Sequence, residues 1–179
     1  MVGAGNLAGE TNALAAITQH LFSGHGLVYD TTNGISSYTT KNAGYFNASG
    51  YLDKSATSDI FGNARSGNIV NCYDQAAALT CFGRLLGIGV QYRLQSPFGC
   101  LNPIHVVGAV YLNNPFFGSD GTLPLVGLDE NRTHFGNHAF STFNEMVFDA
   151  CAGPAKGSLS VSGYLSATID RSTTWESRI

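Results

Sequence analysis

The sequence is poor in charged residues. Only 12% of its 179 residues are Asp, Glu, Lys or Arg, and the net charge is −3. That charged fraction is about half of what soluble domains usually carry, and no cluster of Lys or Arg stands anywhere along the chain. Proteins that bind nucleic acids need a dense basic face to neutralise phosphates. The composition therefore argues against a nucleic-acid partner.

Long apolar runs are also missing. No stretch approaches the roughly 18 consecutive apolar residues of a membrane span, and the N-terminus lacks the basic and then apolar layout of a signal peptide. We therefore expect no membrane span. The 44% of hydrophobic residues are nonetheless enough to bury a core, so we expect a single domain over residues 1–179.

Motifs that pair cysteines are absent as well. The four cysteines form no CxxC and no Cys/His pair with zinc-finger spacing. Cys72 and Cys81 lie nine residues apart in a predicted helix, on roughly opposite faces and too far apart for a disulfide. We expect mostly reduced thiols, at least one of them used in chemistry, and neither a metal nor another cofactor.

The sequence does contain strong helix signals followed by strand signals. Apolar residues recur at helical spacing in Leu7 to Phe22 and in Cys72 to Leu86. Residues 26–67 are rich in Gly, Asn, Ser and Thr and are interpreted as loops with a short strand or helical turn. A helix followed by an antiparallel sheet predicts an α+β fold. The segments with strand character are Ile88 to Leu94, Ile104 to Leu112, His138 to Phe143, Met146 to Cys151 and Leu159 to Ile169.

Cys72 begins the stronger of the two predicted helices. The free backbone N–H groups and the positive end of the dipole at a helix start stabilise a thiolate there, and the same groups can bind an oxyanion. The competing interpretation is that Cys72 is a small buried hydrophobic residue. Asp74 fits a favourable charge in the first helical turn better than a catalytic acid.

A predicted hairpin places a histidine beside an aspartate. His138 begins one strand, and residues 144–145 form the two-residue turn that leads into the next. With that turn, Phe143 pairs with Met146. Asp149 then lies diagonally across from His138 on the same face of the sheet, close enough for a hydrogen bond between their side chains. A thiol nucleophile needs such an oriented imidazole to accept and return its proton.

Three motifs therefore follow one another along the chain. They are a Cys-x-Asp-x-Ala helix start at 72–76 with a Leu-rich helix closing at Gly87-Ile88, a His-Ala-aromatic strand at 138–140, and an aromatic-Asp strand at 148–149. In this order they resemble the transglutaminase-like superfamily, over a core of about residues 71–151. The resemblance implies a papain-like fold, in which a central helix starts at the nucleophilic cysteine and packs on an antiparallel sheet.

The resemblance also implies roles for individual residues. Cys72 is the nucleophile, His138 the general base and acid, and Asp149 the residue that orients the imidazole. One departure from the family pattern is Val70, where members often carry a small glycine. The Gln or Trp groups that help to bind the oxyanion in crosslinking members have no clear match either.

We name the residues beside the nucleophile as candidate oxyanion or substrate contacts. They are Asn71, Tyr73 and Gln75, with Asn68 as a further substitute for the missing family donors.

Other histidines offer alternatives to His138. His105, in an apolar predicted strand, is the rival base, although a histidine there is more often a structural residue. His134 and His138 are four residues apart and suggest a metal pair, but Gly136 makes a helix between them unfavourable and no third ligand is evident. We interpret His20 and His25 as surface or helix-end residues.

The remaining three cysteines are interpreted as structural. They are Cys81, Cys100 and Cys151, the last of which lies near the predicted site in the hairpin register.

A Cys–His–Asp site attacks an acyl carbon and forms a thioester, which water or an amine then resolves. With the resemblance, this favours glutamine deamidation or transamidation of a protein or peptide substrate. The alternatives are a cysteine peptidase or peptidoglycan amidase, and a non-catalytic binding module of the same fold. The charge-poor, Gly-rich composition suggests a secreted protein or an effector or toxin domain delivered into a target cell, with an immunity protein or a larger parent polypeptide as a partner.

Overall fold

The fold combines four α-helices with short β-strands in the part of the chain that the structure describes. The computed structural model describes residues 6–108, 111–114, 134–153 and 155–170. The helices are α1 (Leu7–Gln19), α2 (Ala48–Asp53), α3 (Cys72–Leu85) and α4 (Val161–Thr168). The strands are β1 (Val28–Tyr29), β2 (Ile69–Val70), β3 (Gln91–Gln95), β4 (Ile104–His105), β5 (Tyr111–Leu112), β6 (His138–Phe143), β7 (Met146–Asp149) and β8 (Ala155–Ser160).

A four-stranded antiparallel sheet with the order β3-β6-β7-β8 forms the centre of the fold. The short strands β1 and β2 pair in parallel, and β4 pairs with β5 antiparallel. Helices together with antiparallel sheets confirm the predicted α+β class. No helix in the described ranges has the length and apolar character needed to cross a membrane.

The two faces of the central sheet cover two separate apolar cores. On one face, Ala139 and Phe143 of β6 belong to the larger core, which includes Leu79 of α3 and Leu14 of α1. On the other face, Phe140 packs in a smaller core with Tyr164 of α4. This division follows from the alternation of side chains along a strand. It places His138, which shares a face with Phe140, on the side of α4.

Hydrogen bonds join α3 to the sheet at its centre. The hydroxyl groups of Thr80 and Ser141 lie 3.0 Å apart, and Ser141 also donates to the carbonyl of Ala76 at 3.2 Å. All three residues are buried. These contacts fix the position of α3 along β6. They thereby fix Cys72, the first residue of the helix, relative to His138, the first residue of the strand.

Several predicted elements are confirmed, and others differ in detail. Helix α3 ends one residue before its predicted end, and α1 continues into a π-helical turn, His20–Gly24. The hairpin has the predicted pairing of Phe143 with Met146. Its two turn residues, at 144 and 145, both have positive φ angles, as a two-residue turn of the I′ kind requires.

Three strand predictions need correction. The strand predicted from Ile88 begins only at Gln91, because Leu86 and Gly87 form a turn and residues 88–90 that follow it are not part of a strand. The one predicted over 104–112 is two short strands, β4 and β5, with residues 109–110 outside the described ranges. The segment predicted as a strand over 159–169 is mostly helix α4, because the side chain of Ser160 accepts a hydrogen bond from the N–H of Gly163 and caps a helix.

Candidate active site

Cys72 is the first residue of α3, and Asn71 is its N-cap. The Asn71 side chain accepts hydrogen bonds from the backbone N–H groups of Tyr73 at 3.0 Å and Asp74 at 3.2 Å. The carboxylate of Asp74 in turn accepts from the N–H of Asn71, which completes a capping box. The predicted position of Cys72 at a helix start is therefore confirmed, and the thiol side chain is only 7% exposed.

Asp74 ties the helix start to the loop before it. Its two carboxylate oxygens accept from the backbone N–H groups of Ser37 at 2.9 Å and Tyr38 at 2.8 Å. Burial raises the pKa of Asp74 to about 6, although these backbone donors and that of Asn71 oppose the shift. Asp74 is therefore a structural carboxyl group at the base of the site, in agreement with the interpretation from sequence.

His138 and Asp149 meet through their side chains, as the hairpin register predicts. Nε2 of His138 lies 2.7 Å from Oδ2 of Asp149, and both residues are buried. The other carboxylate oxygen, Oδ1, accepts from the backbone N–H groups of Cys151 at 2.7 Å and Ala152 at 3.1 Å. Asp149 is therefore held on both oxygens and presents one of them to the imidazole.

The Cys72 side chain lies beside the imidazole of His138, close enough to help raise its pKa. Because Nε2 is engaged with Asp149, Nδ1 is the ring nitrogen left for the thiol. Burial alone would lower the pKa of His138, but Asp149, followed by Cys72, raises it to about 10. The ring is therefore an imidazolium at neutral pH, and an imidazolium stabilises a thiolate beside it. The structure brings the three predicted triad residues together in the order Cys72, His138, Asp149.

The predicted oxyanion and substrate contacts lie around Cys72, but two of the three side chains are used internally. Asn71 caps the helix, accepts from Ser36 at 3.0 Å and donates to the carbonyl of Gly34 at 2.7 Å. Since the cap uses the N–H groups of the second and third helical residues, the N–H of Cys72 itself is the helix-start donor that the cap leaves for an oxyanion. Tyr73 is half-buried and donates to the side chain of Asn137, which precedes His138.

Gln75 is a bridge inside the core. Its amide nitrogen donates to the carbonyls of Leu21 at 3.1 Å and Ala150 at 2.8 Å, and its oxygen accepts from the hydroxyl of Tyr51. With no exposed surface, Gln75 holds α3 against the chain that follows Asp149. Asn68, the further substitute considered from sequence, accepts from the N–H of Val28 through its backbone carbonyl.

The competing histidines lie elsewhere. His105 is exposed on β4 and packs against the ring of Tyr111 at 5.1 Å. His20 and His25 face each other with ring centroids 5.8 Å apart, beside the π-helical turn. Within the described ranges, no group of three or more His, Cys, Asp or Glu side chains could hold a metal ion. All four cysteines are free thiols.

A small cavity adjoins the imidazole. It has a volume of about 20 Å³, and its walls include His138, Cys151, Tyr29 and the rings of Phe98 and Phe135. This space fits about one water molecule. Burial, followed by the negative charge of Asp149 and then Cys72, raises the pKa of the Cys151 thiol. Cys151 is thus kept protonated within electrostatic reach of Cys72, which suits the structural role predicted for it.

Tyr164 is a neighbour of the site that the sequence interpretation missed. Its hydroxyl donates to Oδ2 of Asp149 and lies 3.2 Å from Nε2 of His138. The residue was assigned to a strand, and its contacts reach 15 and 26 residues back along the chain. Only the Ser-x-x-Gly pattern at 160–163, which resembles a helix N-terminus, could have indicated that α4 turns Tyr164 toward the hairpin.

Comparisons with protein-family models, with curated proteins and with solved structures found no match to this chain. The chemistry of the site itself therefore carries the assignment of function.

Proposed function

We propose that this protein is a thiol-dependent acyl-transfer enzyme with a transglutaminase-like fold. The observation that carries the proposal is that the imidazole of His138 holds the Asp149 carboxylate through Nε2 at 2.7 Å and has the Cys72 side chain beside it. A thiol beside an oriented imidazole is the common arrangement of cysteine enzymes that attack acyl carbons.

The proposed reaction begins when the Cys72 thiolate attacks the carbonyl carbon of an amide. The new C–S bond forms a tetrahedral oxyanion, which the N–H of Cys72 is placed to stabilise. Collapse of this intermediate breaks the C–N bond, and the His138 imidazolium gives its proton to the departing nitrogen. The thioester is then resolved by water or by an amine, whose proton returns to His138. Asp149 keeps the ring in one orientation throughout.

A glutamine side chain on a protein or peptide is the substrate that we propose first. A groove of about 780 Å³ runs between α3 and β3, with Ala77 and Arg84 on one wall and Gln91 and Tyr92 on the other. Burial, followed by Cys72 and Tyr73, raises the pKa of Tyr92. The groove therefore extends to within electrostatic reach of the nucleophile, and its size suits a polypeptide segment. The groove supports a protein or peptide substrate as the proposed partner.

Intact-mass spectrometry tests the proposal. The protein is incubated with a glutamine-rich unfolded protein in the presence of a primary amine. We expect either an amine adduct or a gain of about one dalton per glutamine, the difference between an amide and an acid. Cys72→Ala should give neither product while retaining the wild-type circular dichroism spectrum.

The same spectra separate the alternatives. Fragments that require Cys72 would favour a cysteine peptidase, and peptidoglycan fragments tested in parallel would favour an amidase. The absence of any product that depends on Cys72 would contradict the proposed enzyme and favour a non-catalytic binding module.

A further inference from the structure

Helix α4 brings a buried tyrosine, Tyr164, next to the hydrogen bond between His138 and Asp149. Tyr164 is only 2% exposed, and its ring lies almost parallel to the imidazole, with 6.5 Å between the centroids and an interplanar angle of 20°. The helix is held there by Asn102, whose side chain donates to the carbonyls of Ala167 at 2.9 Å and Ile169 at 3.1 Å. These hydrogen bonds anchor the C-terminal end of α4 and help to fix the position of Tyr164.

The hydroxyl of Tyr164 closes a triangle of hydrogen bonds with the pair. It donates its proton to Oδ2 of Asp149, the oxygen that also faces the imidazole. Its own oxygen, 3.2 Å from Nε2 of His138, is then free to accept from the ring N–H. The two oxygens next to Nε2, Oδ2 of Asp149 and the hydroxyl oxygen of Tyr164, both favour a proton on Nε2. In the neutral ring, Nδ1 is then the unprotonated nitrogen, which is the form that can accept a proton from Cys72.

The hydroxyl of Tyr164 keeps its proton at neutral pH and can therefore always donate a hydrogen bond. Burial, followed by the charge of Asp149, raises the pKa of Tyr164, so that the phenol stays neutral. A neutral phenol adds a donor to the carboxylate without adding a charge. Asp149 thereby receives four donors in total, two from backbone N–H groups on Oδ1 and two from side chains on Oδ2.

We propose that Tyr164 is a positioning residue, which acts through Asp149 and His138 to hold the imidazole in the tautomer and orientation that Cys72 needs. The inference rests on the proposed function, because it assigns Tyr164 to the same thiol–imidazole site. It adds a fourth member, from a different element, to the three residues that the sequence motifs contain.

The test compares Tyr164→Phe with the wild type in the rate of Cys72 alkylation by iodoacetamide. At about pH 6 a thiol reacts fast only where an aligned imidazolium stabilises its thiolate, whereas at about pH 9 ordinary thiols ionise and react without such help. We expect Tyr164→Phe to slow alkylation of Cys72 about tenfold at the lower pH, the effect of one hydrogen bond to a charged group. The rate at the higher pH should change little.

Tyr38→Phe is the matched control. Tyr38 is as deeply buried as Tyr164, and its hydroxyl donates to the carbonyl of Gly67, away from the imidazole. We expect this variant to lose stability while keeping the wild-type ratio of the two alkylation rates. If Tyr164→Phe behaves like Tyr38→Phe, the hydroxyl of Tyr164 is merely structural and the inference is overturned.

Two further measurements keep the outcome decisive. The ring protons of His138, followed by NMR, should titrate at a different pH in Tyr164→Phe, and an unchanged titration overturns the inference even without data on Cys72.

If the phenylalanine variant does not fold, 3-fluorotyrosine at position 164 replaces it in the test. This residue keeps the hydroxyl and makes it a stronger donor, so Cys72 should still be alkylated fast at about pH 6. Slow alkylation of Cys72 in that protein counts against the inference. A wild-type Cys72 that reacts slowly at about pH 6 contradicts the proposed function instead.

Discussion

Two buried thiols lie near the candidate site in different surroundings. Cys72 lies beside the imidazole of His138 and helps to raise its pKa, whereas burial and the negative charge of Asp149 raise the pKa of Cys151. Cys81 is a third case, because it is the more exposed thiol on the far part of the same helix and borders the groove. Accessibility alone would make Cys81 the reactive cysteine, and electrostatics would make it Cys72.

Peptide mapping after limited iodoacetamide treatment separates these two effects. We expect Cys72 to be labelled first at about pH 6, because only this thiol has an imidazolium partner, and labelling of Cys81 to overtake as the pH approaches about 9. Cys100 and Cys151 should react last at both pH values. Cys81→Ser is the control, and it should leave the labelling of Cys72 unchanged. Preferential labelling of Cys81, Cys100 or Cys151 at the lower pH would remove Cys72 as the nucleophile.

The sequence contains enough local information to predict the triad residues but not their fourth neighbour. His138 and Asp149 are joined by one tight hairpin, so a two-residue turn determines their relation. Cys72 is marked by its helix start. Tyr164 comes to the pair through the docking of a separate helix, and that docking depends on tertiary contacts such as those of Asn102. No short-range pattern encodes such contacts.

At the scale of elements, the N-terminus of α3 is the part of the fold that positions Cys72, the proposed nucleophile. Its N-cap, Asn71, has no exposed surface, and its side chain accepts three hydrogen bonds and donates one to the carbonyl of Gly34. The cap of α2 is also an asparagine, Asn47, but it lies on the surface side of a short helix and accepts from the N–H of Gly50 at 3.0 Å. The two caps therefore differ in burial and in the number of partners.

We expect Asn71→Ala to destabilise the protein more than Asn47→Ala does. Loss of an exposed cap costs about 1 kcal/mol, whereas loss of Asn71 also leaves buried donors and acceptors unpaired, each at about 1–3 kcal/mol. Urea unfolding followed by circular dichroism measures the difference. Asn71→Ala should also slow the alkylation of Cys72 at about pH 6, because the helix start that orients the thiol loosens. Equal losses of stability for the two variants would show that the cap of α3 has no special role.

Helix α4 shows where sequence patterns mislead at this scale. Its residues alternate between polar and apolar types around Val161, and this pattern predicted a strand. The structure ends β8 at Ser160 and starts the helix in the next residue, because the Ser160 hydroxyl caps it. A short segment with few apolar residues satisfies both periodicities, and the cap decides between them. In α3, by contrast, fourteen residues carry a consistent helical pattern, and the prediction is confirmed.

At the scale of the whole molecule, the site lies where the two apolar cores meet. Cys72 belongs to the larger core, and Tyr164 to the smaller one, with His138 and Asp149 between them. Folding therefore buries an imidazolium whose charge depends on Asp149. The pKa of His138 is about 10 in the folded state, against about 6.5 for an unfolded chain. Between these values the folded His138 keeps a proton that the unfolded residue loses, so the contribution of His138 to the free energy of unfolding falls as the pH rises.

Stability should therefore decrease on the alkaline side once the thiol is removed. In the wild type, a Cys72 thiolate in the folded state gives up the proton that His138 keeps, so we expect a nearly flat Tm between about pH 6.5 and about pH 8.5. In Cys72→Ala we expect the Tm to fall over this range, with a slope in free energy of at most about 1.4 kcal/mol per pH unit, the limit for one proton. Asp149→Asn added to Cys72→Ala, which removes the charge that raises the pKa of His138, should have a lower Tm at the lower pH and a nearly flat profile.

Asp30→Asn added to Cys72→Ala is the control. It breaks a 2.6 Å ion pair with Arg65, but although burial opposes the shift, backbone N–H groups and Arg65 lower the pKa of Asp30. Asp30 therefore titrates below this range, and this variant should keep the slope of Cys72→Ala. If Asp149→Asn also keeps that slope, the His138–Asp149 pair does not link protonation to folding.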